Sequence, residues 1–223
     1  MDEHNTPRQI SLPRYLEYTK LSTTLTYAEV DQMAGEAKEY GFAGLCLPPF
    51  WVKKAKRALG DSEVQLVTVV GFPLGYQMTE TKLREMELAI LDGADEVDMV
   101  MNLSAFKSGM PWVKIEIAKC SSLAHEHGCL LKVIIETAYL SDEEIADACK
   151  ICADAGADFV KTSTGFASGG ATEHHVRLMR KVLPSNVGVK ASGGIKTAQQ
   201  AITLIGAGAD RIGASAALKM ISE

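Results

Sequence analysis

Eight short apolar runs, each followed by a stretch with helical periodicity, predict a (β/α)8 barrel, the TIM barrel, folded as a single domain. The runs begin about 20 to 35 residues apart, which leaves room for the one crossover helix that each pair of parallel strands requires. No G-x-G-x-x-G follows the first run, and eight even units favour closure over an open doubly wound sheet. With 223 residues, 47% of them hydrophobic, the chain can bury one large core but not two comfortable ones.

The expected boundaries follow the chain. A polar, irregular segment covers 1–13, and the barrel covers 14–223. Arg14 to Leu21 reads as a first short strand carrying Glu17 and Thr19. Thr26 and Glu29 have capping-box spacing, and the helix that they open runs to Tyr40 and stops at Gly41. Leu45 to Leu47 is a strand closed by Pro48 and Pro49, Trp51 to Leu59 a short amphipathic helix, and QLVTVVGFP a third strand ending at Gly71 and Pro73. Thr79 to Leu91 is helical, Val97 to Met101 a strand, Pro111 to His125 a longer helix, and Leu130 to Ile135 the fifth strand. Ser141 and Glu144 form a second capping box, leading a helix to Gly156 and the FVKTST strand. Thr172 to Val182 is a helix, VGVKA a strand, Thr197 with Gln200 the cap of another helix, and Arg211 to Ala214 the last strand. The triplet GAD recurs at 93–95, 156–158 and 208–210, each time between a helix and the next strand: glycine stops the helix and aspartate marks the strand entry.

A net charge of -5 without a basic block excludes a nucleic-acid surface and confines any anion binding to a local pocket. No run approaches the roughly 18 uncharged apolar residues of a membrane span, and the N-terminus lacks a secretory pattern, so a cytoplasmic protein is expected. Cys46, Cys120, Cys129, Cys149 and Cys152 are odd in number and mostly apolar in setting, which argues against disulfides. Cys149 and Cys152 form a C-x-x-C inside a helix with no second pair to complete a metal site, so packing is their expected role. His125 and His127 fall at a helix end beside Cys129, and His174 and His175 open a helix without a carboxylate at ligand spacing; both pairs read as surface residues. No metal and no cofactor is expected.

Barrels of this kind place their chemistry at the C-terminal ends of the strands. Strand alternation puts Phe159, Lys161 and Ser163 on one face, Gly188, Lys190 and Ser192 on another, and Glu96, Asp98, Val100 and Asn102 on a third. Lysine is rarely buried, but helices cover the outside of a barrel strand, so Lys161 and Lys190 belong in the barrel mouth. Two ammonium groups in one dry pocket repel, and the one that loses its proton becomes a nucleophilic amine able to form a Schiff base with an aldehyde or ketone. Asp98 then suits proton transfer. Spacing does not say which lysine is the nucleophile. Lys132, on the face of Ile134 and Glu136, is either a third participant or the charge partner of Asp98.

Ser192, Gly193 and Gly194 after the seventh strand, and Gly213, Ala214 and Ser215 after the eighth, make two glycine- and serine-rich loops where many barrels hold phosphate, with Lys196 as added charge.

Taken together, GFPLG at 71–75, DEVDMVMN at 95–102, KVIIET at 132–137, DFVKTSTGF at 158–166, GVKASGGIKT at 188–197 and RIGAS at 211–215 closely resemble the deoxyribose-phosphate aldolase family, from about residue 15 to the end. The resemblance implies reversible, metal-free cleavage of 2-deoxy-D-ribose 5-phosphate to D-glyceraldehyde 3-phosphate and acetaldehyde. It implies that Lys161 forms the Schiff base, Lys190 perturbs its pKa, Asp98 donates or accepts the proton and Lys132 joins the hydrogen-bond network. The substrate-binding set that goes with it is Thr19, Cys46, Thr164, Gly165, Gly193, Gly194, Lys196, Gly213 and Ser215. Members of this family often dimerise, and Trp51 and Trp112 are candidates for such an interface or for packing. The chain departs from the family's usual Asp-His-Thr with Glu17, Tyr18 and Thr19, from an Asn with Pro48, from Ala and Asn with Tyr76 and Gln77, and from a second serine with Ala216. These changes are expected to touch the substrate rim and phosphate loop rather than the lysines. Two alternatives stay open at this level: a lysine aldolase with another acceptor, and a non-catalytic barrel that binds a sugar phosphate.

Overall fold

The computed structural model describes residues 11–222. Eight parallel strands close into a barrel in sequence order: β1 Leu16–Thr19, β2 Gly44–Leu47, β3 Gln65–Val70, β4 Glu96–Val100, β5 Leu130–Ile134, β6 Phe159–Lys161, β7 Gly188–Ser192 and β8 Arg211–Ala214. Closure is made by β8 against β1, with Glu17 beside Gly213 and Tyr18 beside Ala214. The surrounding helices are α1 Tyr27–Tyr40, α2 Val52–Leu59, α3 Thr79–Leu91, α4 Leu103–Lys107, α5 Trp112–Glu126, α6 Asp142–Asp154, α7 Glu173–Val182, α8 Ala198–Gly206 and α9 Ala217–Ser222.

The three expected capping boxes form at Thr26, Ser141 and Thr197, each hydroxyl accepting from the backbone N–H three residues on while the Glu or Gln there reaches back. One expectation is corrected. The first strand does not run from Arg14 to Leu21: Pro13 lies in a 3-10 turn over Leu12–Tyr15, and the strand is only β1. The segment expected to be irregular over 1–13 falls outside the described residues up to 10. Helix α4, too short to show a period, was not legible; Asn102 starts it by accepting from the Ala105 N–H at 3.1 Å.

Alternation along the strands divides the core in two. Leu45, Leu66, Val97, Met99, Leu131, Val133, Val160, Val189 and Ile212 point outward and join one apolar cluster with the helices, while Cys46, Val67 and Val69 form a separate small cluster with Leu21 and Phe72. Beside Val100 and Ile134, the barrel interior is charged: Glu17, Glu96, Asp98, Lys132, Lys161 and Lys190 are all at most 3% exposed.

The GAD echo has a structural meaning. Asp95, Asp158 and Asp210 each accept, through Oδ2, the backbone N–H of the preceding strand's Leu66, Leu131 and Val189, at 2.9, 2.8 and 2.8 Å. A basic residue one helix back completes each unit: Lys56 on Asp95, His125 on Asp158 and Arg180 on Asp210. Gly93 and Gly208 sit at φ 106° and 112°, and a Cβ at either would lie 2.7 Å from the side chain of Lys56 or Arg180. His174 does find a carboxylate, Asp142 at 2.7 Å, supplied by tertiary packing rather than by sequence spacing. Cys149 and Cys152 are buried free thiols in the core.

Candidate active site

Lys161 ends β6, Lys190 lies opposite it on β7, and Asp98 sits beside Lys132 across β4 and β5. Because parallel strands hold these positions at one level, four inward side chains meet in the barrel centre. Lys161 Nζ donates to Asp98 Oδ2 at 2.7 Å, and Lys190 Nζ donates to the same oxygen at 2.6 Å. Lys132 Nζ donates to Asp98 Oδ1 at 3.1 Å. Asp98 thus accepts from all three lysines.

Two acids that sequence reasoning did not place in the site complete it. Glu17 was expected on the substrate rim. It is buried on β1, accepts from Lys190 through Oε2, and pairs with Lys132 at 3.5 Å. Glu96, one turn of the pleat below Asp98, pairs with Lys132. Phe159 closes the floor, its ring 5.9 Å from the Lys132 ammonium and 5.8 Å from the Arg211 guanidinium. Alternation assigned Glu96 to the inner face; nothing local distinguished Glu17 from a surface acid.

The lysines differ in how many carboxylates hold them. Burial lowers the proton affinity of each. For Lys132 the charges of Asp98, Glu17 and Glu96 overcome burial and carry it well above the usual lysine range, and for Lys190 Asp98 and Glu17 do so. Lys161 has only Asp98, opposed by the positive Lys190, so burial prevails and its pKa is lowered. For Asp98, burial alone raises the pKa, but Lys132, Lys161 and Lys190 together hold it well below the usual carboxylate range. Glu17 is lowered too, Lys132 and Lys190 outweighing burial. The arrangement leaves one amine with its proton affinity lowered beside a carboxylate held anionic.

Lys161 also faces the one-sided cavity above, of about 370 Å³, lined among others by Thr19, Thr164, Gly165, Ser192, Gly193, Gly194, Gly213 and Ser215. Gly193 and Gly194 are at φ 86° and 77°, conformations that bring their backbone to the wall. Lys190, Asp98 and Lys132 lie behind Lys161 and not on the wall. Cys46 is fully buried beneath the cavity, and burial raises its thiol to about 11, so it is not a wall residue. Lys196 is exposed and does not line the cavity; Lys20, which sequence reasoning did not single out, does. The Phe72 and Phe166 rings meet edge-on at 5.3 Å, joining the loops after β3 and β6.

The loop after β6 is fixed by Glu136. This buried residue adopts φ 50° and accepts from the Thr164 N–H at 3.2 Å and from the Thr164 hydroxyl, while Thr164 Oγ1 accepts the Phe166 N–H at 3.0 Å. Strain in a non-glycine residue is thus tied to the loop that carries three cavity residues.

Residues 15–223 match the model of the DeoC/LacD family aldolases. A deoxyribose-phosphate aldolase of Caldanaerobacter subterraneus subsp. tengcongensis is 49% identical over 216 residues, 96% of this chain and 94% of the relative. Among solved structures, the aldolase QR15 superposes with a TM-score of 0.91 at 40% identity, covering 96% of each chain. The tetrameric deoxyribose phosphate aldolase from Aeropyrum pernix superposes with a TM-score of 0.87 at 35% identity, covering 95% of this chain and 89% of its own.

Proposed function

The chain belongs to the DeoC/LacD family of aldolases, and we propose that it cleaves 2-deoxy-D-ribose 5-phosphate reversibly, through a Schiff base on Lys161, to D-glyceraldehyde 3-phosphate and acetaldehyde. The enzyme is an aldehyde-lyase. The observation that carries the choice of Lys161 is its single carboxylate partner, which leaves it, alone among the three lysines of the barrel centre, with a lowered pKa on the cavity wall.

Neutral Lys161 Nζ attacks C1 of the open-chain sugar, and loss of water leaves a protonated imine. The iminium draws electrons as the C2–C3 bond breaks. The C3 hydroxyl gives up its proton and becomes the carbonyl of D-glyceraldehyde 3-phosphate, while C1 and C2 stay on Lys161 as an enamine. Protonation at C2 and hydrolysis return acetaldehyde and the free amine. Asp98, hydrogen-bonded to Lys161 and Lys190, is the group within reach for these proton transfers. Lys190 keeps Asp98 anionic and discourages the proton on Lys161, and Lys132 fixes the far oxygen of Asp98.

A non-catalytic sugar-phosphate barrel would have no use for three lysines on one aspartate, a cluster costly to desolvate. We further propose a cytoplasmic homodimer acting on small phosphorylated sugars and aldehydes; among the described residues no helix is long and apolar enough to cross a membrane. Borohydride reduction in the presence of acetaldehyde should add a two-carbon group to the peptide containing Lys161, read by mass spectrometry. Label on Lys190 or Lys132 instead would overturn the assignment.

A further inference from the structure

The cavity wall carries a cation that neither the motifs nor the reaction chemistry has used. Among the described residues lining the cavity, Lys161 and Lys20 are the only charged ones. Lys161 serves the carbonyl end of the substrate, so a phosphate at the other end is left with hydroxyls, backbone N–H groups and Lys20. The Lys20 backbone is fixed, its N–H donating to the Cys46 carbonyl at 3.0 Å, whereas its side chain is 38% exposed. The β1–β8 register pairs Glu17 with Gly213 and Tyr18 with Ala214. Both strands run on into the same cavity wall, Lys20 from one and Gly213, Ala214 and Ser215 from the other, and the loop there carries Ala216 in place of a second serine. Lys196 cannot fill the gap from outside the wall.

As the structure stands, the Lys20 ammonium donates to Glu29 Oε1 at 2.6 Å. The other oxygen of Glu29 accepts from the N–H and hydroxyl of Thr26, each at 2.8 Å, and so caps α1. An ion pair this exposed is weak, and a dianion presented at the cavity wall competes with a monoanion for the same ammonium.

We propose that Lys20 is the phosphate-binding cation of this site and that Glu29 is its resting partner, displaced when a phosphorylated substrate enters. The proposal rests on the sugar-phosphate reading above. It makes Lys20 a determinant of phosphate preference and Glu29 an attenuator of phosphate affinity.

The test compares the wild type with Lys20→Met, Lys20→Arg and Glu29→Gln, whose amide oxygen can still cap Thr26. Cleavage of 2-deoxyribose 5-phosphate and of 2-deoxyribose is measured, together with the dissociation constant of inorganic phosphate at two ionic strengths. Lys20→Met should raise the KM for the phosphorylated sugar by roughly tenfold, weaken inorganic phosphate similarly, and lower the ratio of kcat/KM for phosphorylated over free sugar by the same factor. Lys20→Arg should restore most of the loss, and Glu29→Gln should tighten phosphate about two- to threefold. Equal losses on both sugars, or tighter binding absent in Glu29→Gln, would overturn the proposal. Because phosphate affinity is read without turnover, a wild type that fails to cleave the phosphorylated sugar refutes the functional reading alone. Equal phosphate affinities in wild type and Lys20→Met refute the Lys20 assignment alone.

Discussion

Lys161 and Lys190 are paired in register on neighbouring strands, yet one holds a single carboxylate and the other two. That difference sets which of them surrenders a proton. Spacing alone could not make the choice, because the second carboxylate, Glu17, reaches Lys190 from a strand remote in sequence. The family resemblance chose Lys161, and the proton affinities support the same residue. Lys190→Met removes the positive charge that depresses Lys161 and frees Asp98 Oδ2 to serve Lys161 alone. Both effects raise the Lys161 pKa. The acid limb of the kcat/KM profile for cleavage should therefore move to higher pH by about one unit or more. An acid limb that stays in place would mean that Lys190 does not tune the nucleophile. Lys20 shows the complementary limit of the sequence: it lies just past β1, where alternation alone assigns it no face, and only closure by β8 sets it beside the phosphate loop.

At the scale of elements, the strand order and capping boxes were legible because they depend on local spacing, and the GAD repeats were legible as punctuation. Their hydrogen bonds to neighbouring strands were not, since each aspartate acts across a sheet interface. The same holds for the helix layer. Lys82 of α3 and Glu116 of α5 are charged, yet both are at most 1% exposed and paired at 2.7 Å. Lys82 also donates to the Val100 carbonyl at 2.8 Å, at the end of the strand that carries Asp98, and Thr79 donates to Glu116 at 3.1 Å. Removing one partner leaves a buried charge. Lys82→Met should cost about 3–5 kcal/mol in urea unfolding, and the double variant Lys82→Met/Glu116→Leu should recover much of it. A single variant within about 0.5 kcal/mol of wild type would show that the pair is solvated.

For the whole molecule, the barrel interior balances three carboxylates against three lysines, and its dependence on pH can be derived from the direction of each shift. Asp98 and Glu17 have folded pKa values below their unfolded ones. Their contribution is complete above the unfolded carboxyl range of about 4 and is lost as pH falls through the folded values. Lys132 and Lys190 are raised, so theirs is complete below about 10.4 and is lost as pH rises through the folded values. Lys161 runs the other way. Its folded pKa is lowered, so between that value and about 10.4 the unfolded chain binds the extra proton and stability rises with pH. The nucleophile is thus a cost to the fold at every pH where the unfolded chain keeps its proton, full below the folded pKa and fading toward about 10.4. Lys161→Leu removes that cost while leaving Asp98 its bonds to Lys132 and Lys190. The variant should lose cleavage, gain stability over the wild type near neutral pH, and show no rise in urea midpoint toward alkaline pH, where the wild type does rise. A Lys161→Leu protein less stable than the wild type at neutral pH, with the same alkaline rise, would show that the buried amine supports the barrel instead of straining it.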